Sequence, residues 1–177
     1  FVVLERRTGV VVRYNVPGYF QSFENVENRL TVALVSAMAE LHKVEVEKAD
    51  LSKLGRPEGF VRRQLDGWAK RWELSKTEKN PIMDQIYEAL IEDIPRPQTV
   101  SIIHNDIKFD NCQFQPDNPD EVTSIFDWDM CTLGDPLIDC GTALSYWPDE
   151  RLDKVEGLPV RLTGKFPDKK FIIERYH

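Results

Sequence analysis

Eight residues, His104-Asn105-Asp106-Ile107-Lys108-Phe109-Asp110-Asn111, restrict the folds open to this chain more than any other stretch. They are answered sixteen residues after Asn111 by Asp127-Trp128-Asp129. Before the loop, Val100, Ile102 and Ile103 predict a short buried strand. After it, Cys112 to Gln115 alternates apolar and polar, as a half-buried strand does. Pro116 to Asp120 is turn chemistry, and Val122 to Phe126 reads as the returning strand. The loop leaves one strand end, and a hairpin of this length folds Asp127 back beside Asn111. An extended chain would hold Asp106 and Asn111 up to about 17 Å apart. To share one small cation the interval must curl, which places both residues on a loop.

The charges point to a metal. From Ser101 to Cys140 there are nine acidic residues and one basic residue, Lys108. Carboxylates this close repel one another unless solvated, protonated or neutralised by a cation. Asp117, Asp120 and Glu121 read as solvated turn residues. Asp106 and Asp127 abut apolar strand runs, where that account fits poorly. Mg²⁺ suits oxygen ligands from one or two carboxylates completed by substrate phosphates.

His-x-Asp-x-x-x-x-Asn followed by an Asp at a hairpin end resembles the catalytic loop and metal Asp of the protein-kinase-like fold. Phe126-Asp127-Trp128-Asp129 with Leu133-Gly134-Asp135-Pro136-Leu137-Ile138-Asp139 is similar to the aminoglycoside phosphotransferase and choline kinase superfamily. The combined pattern covers 36 positions. Val3-Leu4-Glu5-Arg6 resembles the hinge, and Leu41-His42 the end of the first large-lobe helix. Gly55 to Gly59, with Gln64 and Trp68, resembles the branch fused to some acyl-CoA dehydrogenases.

The resemblance implies a mainly helical α+β fold, the large C-terminal lobe of a kinase-like protein with a hinge strand and a catalytic-loop hairpin. Residues 1–15 would be hinge strands left from the small lobe, and 16–177 a large lobe truncated at both ends. It implies transfer of the γ-phosphate of ATP, or of GTP, to a small-molecule hydroxyl. Asp106 would accept the hydroxyl proton, and Asn111 and Asp127 would bind Mg²⁺. The backbone of Glu5 and Arg7 would meet the adenine edge, unless that segment is an ordinary surface hairpin. Lys108 lies where protein kinases place a lysine near the transferred phosphate, and otherwise reads as a surface lysine. His104 would fix the loop's curl through its ring. Asp129 would support the site or face substrate, Asp135 would cap a helix, and Asp139 would brace the catalytic loop. Acceptors open to the resemblance are aminoglycosides, choline-like amines, hydroxyacyl thioesters and sugars. Two other classes stay open: a degenerate kinase-like binding or regulatory module, and a metal-dependent phosphohydrolase.

At 177 residues the chain predicts one domain with a sizeable core. Residues 1–100 balance fifteen basic against fifteen acidic, so the whole net charge of −7 lies in 101–177. Such a surface repels nucleic acid and anionic membrane and suits a cationic acceptor or a metal-nucleotide. Cys112, Cys131 and Cys140 form no C-x-x-C, which favours buried thiols in a reducing, cytoplasmic setting over disulfides or zinc. No apolar run reaches the roughly 18 residues of a membrane span, and no signal peptide is visible. No Gly-rich phosphate loop or strand lysine lies in the chain. Residues 1–177 alone are therefore expected to bind ATP·Mg weakly and to turn over no substrate.

Three helices are predicted before the loop. Val26, Leu30, Leu34, Ala37, Leu41 and Val44 recur at threes and fours, with Ser22 or Asn25 as cap. His42 reads as a helix-terminal histidine. Pro57 suits a first helical position, and Val61, Leu65, Trp68 and Trp72 follow at helical spacing. That stripe is read as core packing, with substrate or partner contact as the alternative. Asn80-Pro81 opens a third helix carrying Ile82, Ile86 and Leu90. Asp135-Pro136 starts another, reaching to about Trp147. Phe1 to Leu4 and Val10 to Val12 flank Thr8-Gly9 as strand, turn and strand. Pro148 to Asp168 reads as loop, and Phe171 to His177 as the start of a last helix.

Overall fold

The protein is described by a computed structural model at residues 3, 5–149 and 162–177. Helix α1 (Val26–His42) is the element on which the rest is packed. Val26, Leu30 and Leu34 are buried as their spacing requires, but the buried arc then turns through Ala33, Val35 and Met38. Ala37 and Leu41 are half-buried, and Val44 lies beyond the helix end and is exposed. The arc is wider than a single stripe because α1 is covered from more than one side. Asn25 stands at the N-cap in a left-handed conformation (φ 51°) and makes no side-chain cap bond.

Two small antiparallel sheets frame the loop. Strands β1 (Val10–Val11), β3 (Cys112–Gln115) and β4 (Asn118–Ile125) form one, in the order β1-β3-β4. The hairpin turn is only Pro116-Asp117, shorter than the expected five residues, with register shifts either side of Phe114. Strand β1 pairs with β3, Val10 facing Phe114, and no turn forms at Thr8-Gly9. Gly9 instead lies flat on β3, where a Cβ would come within 3.0 Å of Gln113 Cβ and the Phe114 carbonyl. The expected strand at Phe1 to Leu4 lies mostly outside the described residues. The second sheet pairs β2 (Ser101–Ile103) with β5 (Thr132–Gly134).

The arm between α1 and β2 differs from expectation in two ways. Helix α2 (Phe60–Ser75) starts three residues after Pro57, directly behind Gly59, whose φ of 64° only glycine adopts without strain. Arg63 donates to the carbonyls of Glu58 and Arg56, tying this entry turn to the helix. Neither α2 nor α3 (Pro81–Glu92) contains a buried residue, and Trp68 is 62 % exposed. The tryptophan stripe is thus not core. It packs against α3 along an apolar groove lined by Leu65, Trp72, Met83, Ile86 and Leu90. Tyr87 reaches back across the pair to Asp66 at 2.7 Å. Asn80 caps α3 by accepting from the Ile82 amide at 3.1 Å.

After the loop come α4 (Leu137–Ser145) and α5 (Lys169–Tyr176). Most of the expected 148–168 loop, residues 150–161, lies outside the described residues. The core joins α1, β1, β3, α4 and α5. Its aromatic centre sets Phe109 against Phe114, Trp147 and Phe166, with centroids 5.4 to 5.8 Å apart.

Candidate active site

The loop from His104 to Asn111 is presented by alternation. Ile107 and Phe109 are buried, and each stabilises the loop by roughly 1.5–3 kcal/mol of apolar burial. Asp106 and Lys108, on either side of Ile107, consequently face the surface, with side chains 17 % and 20 % exposed.

Asp139, in the first turn of α4, holds the start of the loop. Its carboxylate is fully buried and accepts the His104 amide through Oδ2 and the Asn105 amide through Oδ1, both at 2.7 Å. A third donor, His42 Nε2, stands 3.0 Å from Oδ2. A buried carboxylate is tolerated only with such partners. Asn105 takes a left-handed conformation (φ 65°) and donates its side-chain amide to the Met130 carbonyl at 2.8 Å.

His104 is buried, with Nε2 2.6 Å from the Phe126 carbonyl and Nδ1 3.3 Å from the Asp106 amide. The first contact requires a donor and the second an acceptor, so the ring carries its hydrogen on Nε2. It thereby ties the loop to the strand end that leads to Asp127. The Trp128 ring covers it at 4.8 Å.

Asp106 and Asn111 meet. The Asn111 side-chain amide donates to the Asp106 carbonyl at 2.8 Å and to its Oδ2 at 3.0 Å. Lys108 Nζ lies 2.6 Å from the same Oδ2 and 4.7 Å from the centre of the Tyr146 ring. Burial pulls the Lys108 pKa down, but the hydrogen bond to Asp106 and the charge of Asp110 outweigh it, and the net shift is upward. Tyr146 is also raised, by burial and then by the charge of Asp106.

The Phe126 amide donates to the Asn111 carbonyl at 2.8 Å, so Asp127 follows directly on a residue bonded to Asn111. Asp127 is exposed and left-handed (φ 65°). Asp129 is exposed in the turn Trp128–Met130. Asp135 Oδ1 accepts the Leu137 amide at 2.9 Å, at the N-terminus of α4. Glu5 and Arg7 are exposed and pair with each other at 2.8 Å; no described contact joins either to the loop. A cavity of about 380 Å³ adjoins Lys108, lined also by Asp110, Tyr146, Arg13 and Tyr14.

Three residues escaped the sequence reading. His42 reads as a helix-terminal residue, yet it belongs to the Asp139 site. Tyr146 and Tyr176 lie in stretches with no motif. The one available signal was Leu41-His42, a polar residue ending a core-facing helix.

A strand-borne His-x-Asp loop, a hairpin and a buried helical Asp under the loop define a kinase-like phosphotransferase fold. The model of the phosphotransferase enzyme family matches residues 2–158, and the chain belongs to that family. It is similar to acyl-CoA dehydrogenase family member 11 of Mus musculus, 30 % identical over 152 residues. That match takes in 84 % of this chain and 19 % of the mouse protein. Member 10 of the same organism is 27 % identical over 83 % of the chain and 14 % of its own length. The chain thus spans less than a fifth of these relatives. Among solved structures, a Ralstonia eutropha protein described as an aminoglycoside phosphotransferase superposes with a TM-score of 0.80. It is 26 % identical, over 97 % of this chain and 52 % of that one. The streptomycin–ATP complex of APH(2")-IIa shares the fold at 18 % identity and a TM-score of 0.55, over 89 % of this chain and 50 % of that one.

No helix among the described residues is long and apolar enough to cross a membrane. Cys112 is buried and its thiol is pushed up to about 12 by desolvation; Cys140 rises to about 11 for the same reason. Both are poor nucleophiles at neutral pH.

Proposed function

We propose that the chain is the large lobe of an ATP-dependent phosphotransferase that acts on a hydroxyl of a small molecule. The observation that carries this reading is the meeting of Asp106, Lys108 and Asn111 on a loop held by Asp139. Asp106 holds the acceptor hydroxyl and takes its proton. Lys108 stays protonated beside it and steadies negative charge near the transferred group. The acceptor enters by the cavity beside Lys108 and Tyr146. ATP as donor is supported by the nucleotide complexes of similar folds, with ATP in APH(2")-IIa and ADP in APH(2")-Ib. Glu5 and Arg7 would meet the adenine edge through their backbone.

The residues present fit Mg²⁺. The nitrogen of the Asn111 amide is committed to Asp106, while its Oδ1 and the Asp127 carboxylate make no bond among the described residues. No cluster of three or more His, Cys, Asp or Glu gathers among those residues. That suits a cation taking most of its ligands from phosphates and water. When bound it would neutralise charge on the phosphates; Asn111 and Asp127 would hold it.

The test is Asp106→Asn in the full gene product. Phosphoryl transfer is expected to fall by roughly 10²–10⁴, the usual cost of losing a proton acceptor, with nucleotide affinity retained. Near-normal turnover would remove Asp106 from the base role. A screen of hydroxyl compounds with the same protein would name the acceptor.

A further inference from the structure

We propose that Tyr176, in the last turn of α5, is a positioning residue for the catalytic loop. Its hydroxyl holds the His42 ring in the orientation that keeps Asp139 against the amides of His104 and Asn105. The inference rests on the reading of Asp106 as the base for its kinetic consequence only.

Asp139 is a fully buried acceptor with three donors around it: the amides of His104 and Asn105 and the ring of His42. A carboxylate flanked by two amides can take only a hydrogen from His42, so Nε2 must carry one. The carboxylate thereby fixes the tautomer and leaves Nδ1 with a lone pair to be met. His42 Nδ1 lies 2.7 Å from the Tyr176 hydroxyl. The two rings pack edge to face, centroids 5.7 Å apart at 78°, which fixes the approach of the hydroxyl. Burial, then the neighbouring Cys140 thiol and Asp139, push the tyrosine upward, so it keeps its hydrogen at neutral pH. The His42 side chain is 6 % exposed, and water cannot readily take the place of the hydroxyl. Without the hydroxyl the ring is free to turn Nε2 away from Asp139 Oδ2, the oxygen that also receives the His104 amide. The carboxylate would lose one of its three donors, and the loop anchor would loosen. A residue on α5 thus acts on Asp106 through two side chains and a backbone segment.

The decisive measurement is ¹⁵N NMR of the His42 ring, with hydrogen exchange of the His104 and Asn105 amides, in the intact chain. The wild type is expected to carry the hydrogen on Nε2. Tyr176→Phe keeps the ring and removes the hydroxyl. It should leave the hydrogen on Nε2, where Asp139 requires it, but free the ring to turn and speed exchange at both amides by about tenfold, the lower end of what losing an orienting outer partner costs. In a His42→Gln background the side-chain amide can donate to Asp139 with no ring for the hydroxyl to orient. There the same substitution should change exchange by less than about twofold. In the full gene product, Tyr176→Phe should lower kcat by roughly tenfold and leave the nucleotide KM unchanged. The hydrogen on Nδ1 in the wild type, unchanged exchange in Tyr176→Phe, or equal losses in both backgrounds would overturn the proposal. If Asp106→Asn shows that Asp106 is not the base, the tautomer and exchange results still decide the role of Tyr176.

Discussion

Helices α1 and α2 carry the same spacing of apolar residues and end in opposite circumstances. In α1 the residues at threes and fours are covered by β4, α5 and the aromatic core. In α2 they face α3 and a groove of about 530 Å³, and none is buried. Periodicity specifies which face of a helix is apolar; it says nothing of what covers that face. The contrast also divides the labour. The region around α1 holds the loop still, while α2 lays Phe60, Val61, Gln64, Leu65 and Trp68 along a second cavity reaching Asn105 and Met130.

The sharpest way to break the comparison is to truncate one aromatic in each region. Phe109→Ala empties the centre of the core and is expected to cost about 3–5 kcal/mol. Trp68→Ala should cost no more than about 1 kcal/mol, mostly the stacking of Arg71 at 4.1 Å over its ring. Denaturant midpoints at equal slope would measure both. Equal losses would mean that α2 is buried in solution.

A smaller effect is expected where the two regions join. At Gly55 a Cβ would stand 1.9 Å from Thr132 Oγ1 and 2.8 Å from the Leu133 amide nitrogen, beside β5. Gly55→Ala must displace backbone and should cost about 1–3 kcal/mol. Exchange should quicken in β5 and the 52–58 segment while α3 stays unchanged. Uniform loosening of α2 and α3 would show that the arm is not hung from this point.

The smallest effect belongs to the clasp between α1 and the hairpin. Arg29, half-buried, holds the exposed Asp120 through two bonds of 2.8 and 2.6 Å. The Arg29 hydrogen bond lowers the Asp120 pKa below its ordinary 3.8. A depressed carboxylate contributes stability above its unfolded value and loses it as pH falls through the folded value. Arg29→Ala should therefore lower the melting temperature slightly at neutral pH. That difference should vanish as acid takes the protein through the depressed pKa. A difference that persists in acid would point to the Arg29 guanidinium over Phe23, its Cζ 5.2 Å from the ring centre, instead of the pairing with Asp120.

Much of the loop region was legible because its signals are local. Strand β2, the β3–β4 hairpin, the curl joining Asp106 to Asn111, and the Asn80 and Asp135 caps all follow from neighbouring residue types. The misses share a different cause. Pro57 satisfies the rule for a first helical residue, but Gly59 in a left-handed turn sets the start of α2. Asn25 is a good cap by type, and its own backbone conformation denies it the bond. His42 is joined to Tyr176 across 134 positions. Nothing short-range could have announced that pair. Helical spacing and residue type assign the tryptophans to a core, and neither knows anything of tertiary cover.

The alternation of inward Ile107 and Phe109 with outward Asp106 and Lys108 bears on how such a chain can change over generations. Substitutions at the outward positions alter chemistry and leave the core intact. A single inserted or deleted residue between His104 and Asn111 would exchange the two sets, sending carboxylate and ammonium into the aromatic core. Length is therefore the forbidden variable in this segment. The α2–α3 arm and the cavity wall are under no such constraint, and their segments can lengthen or shorten while the loop keeps its count.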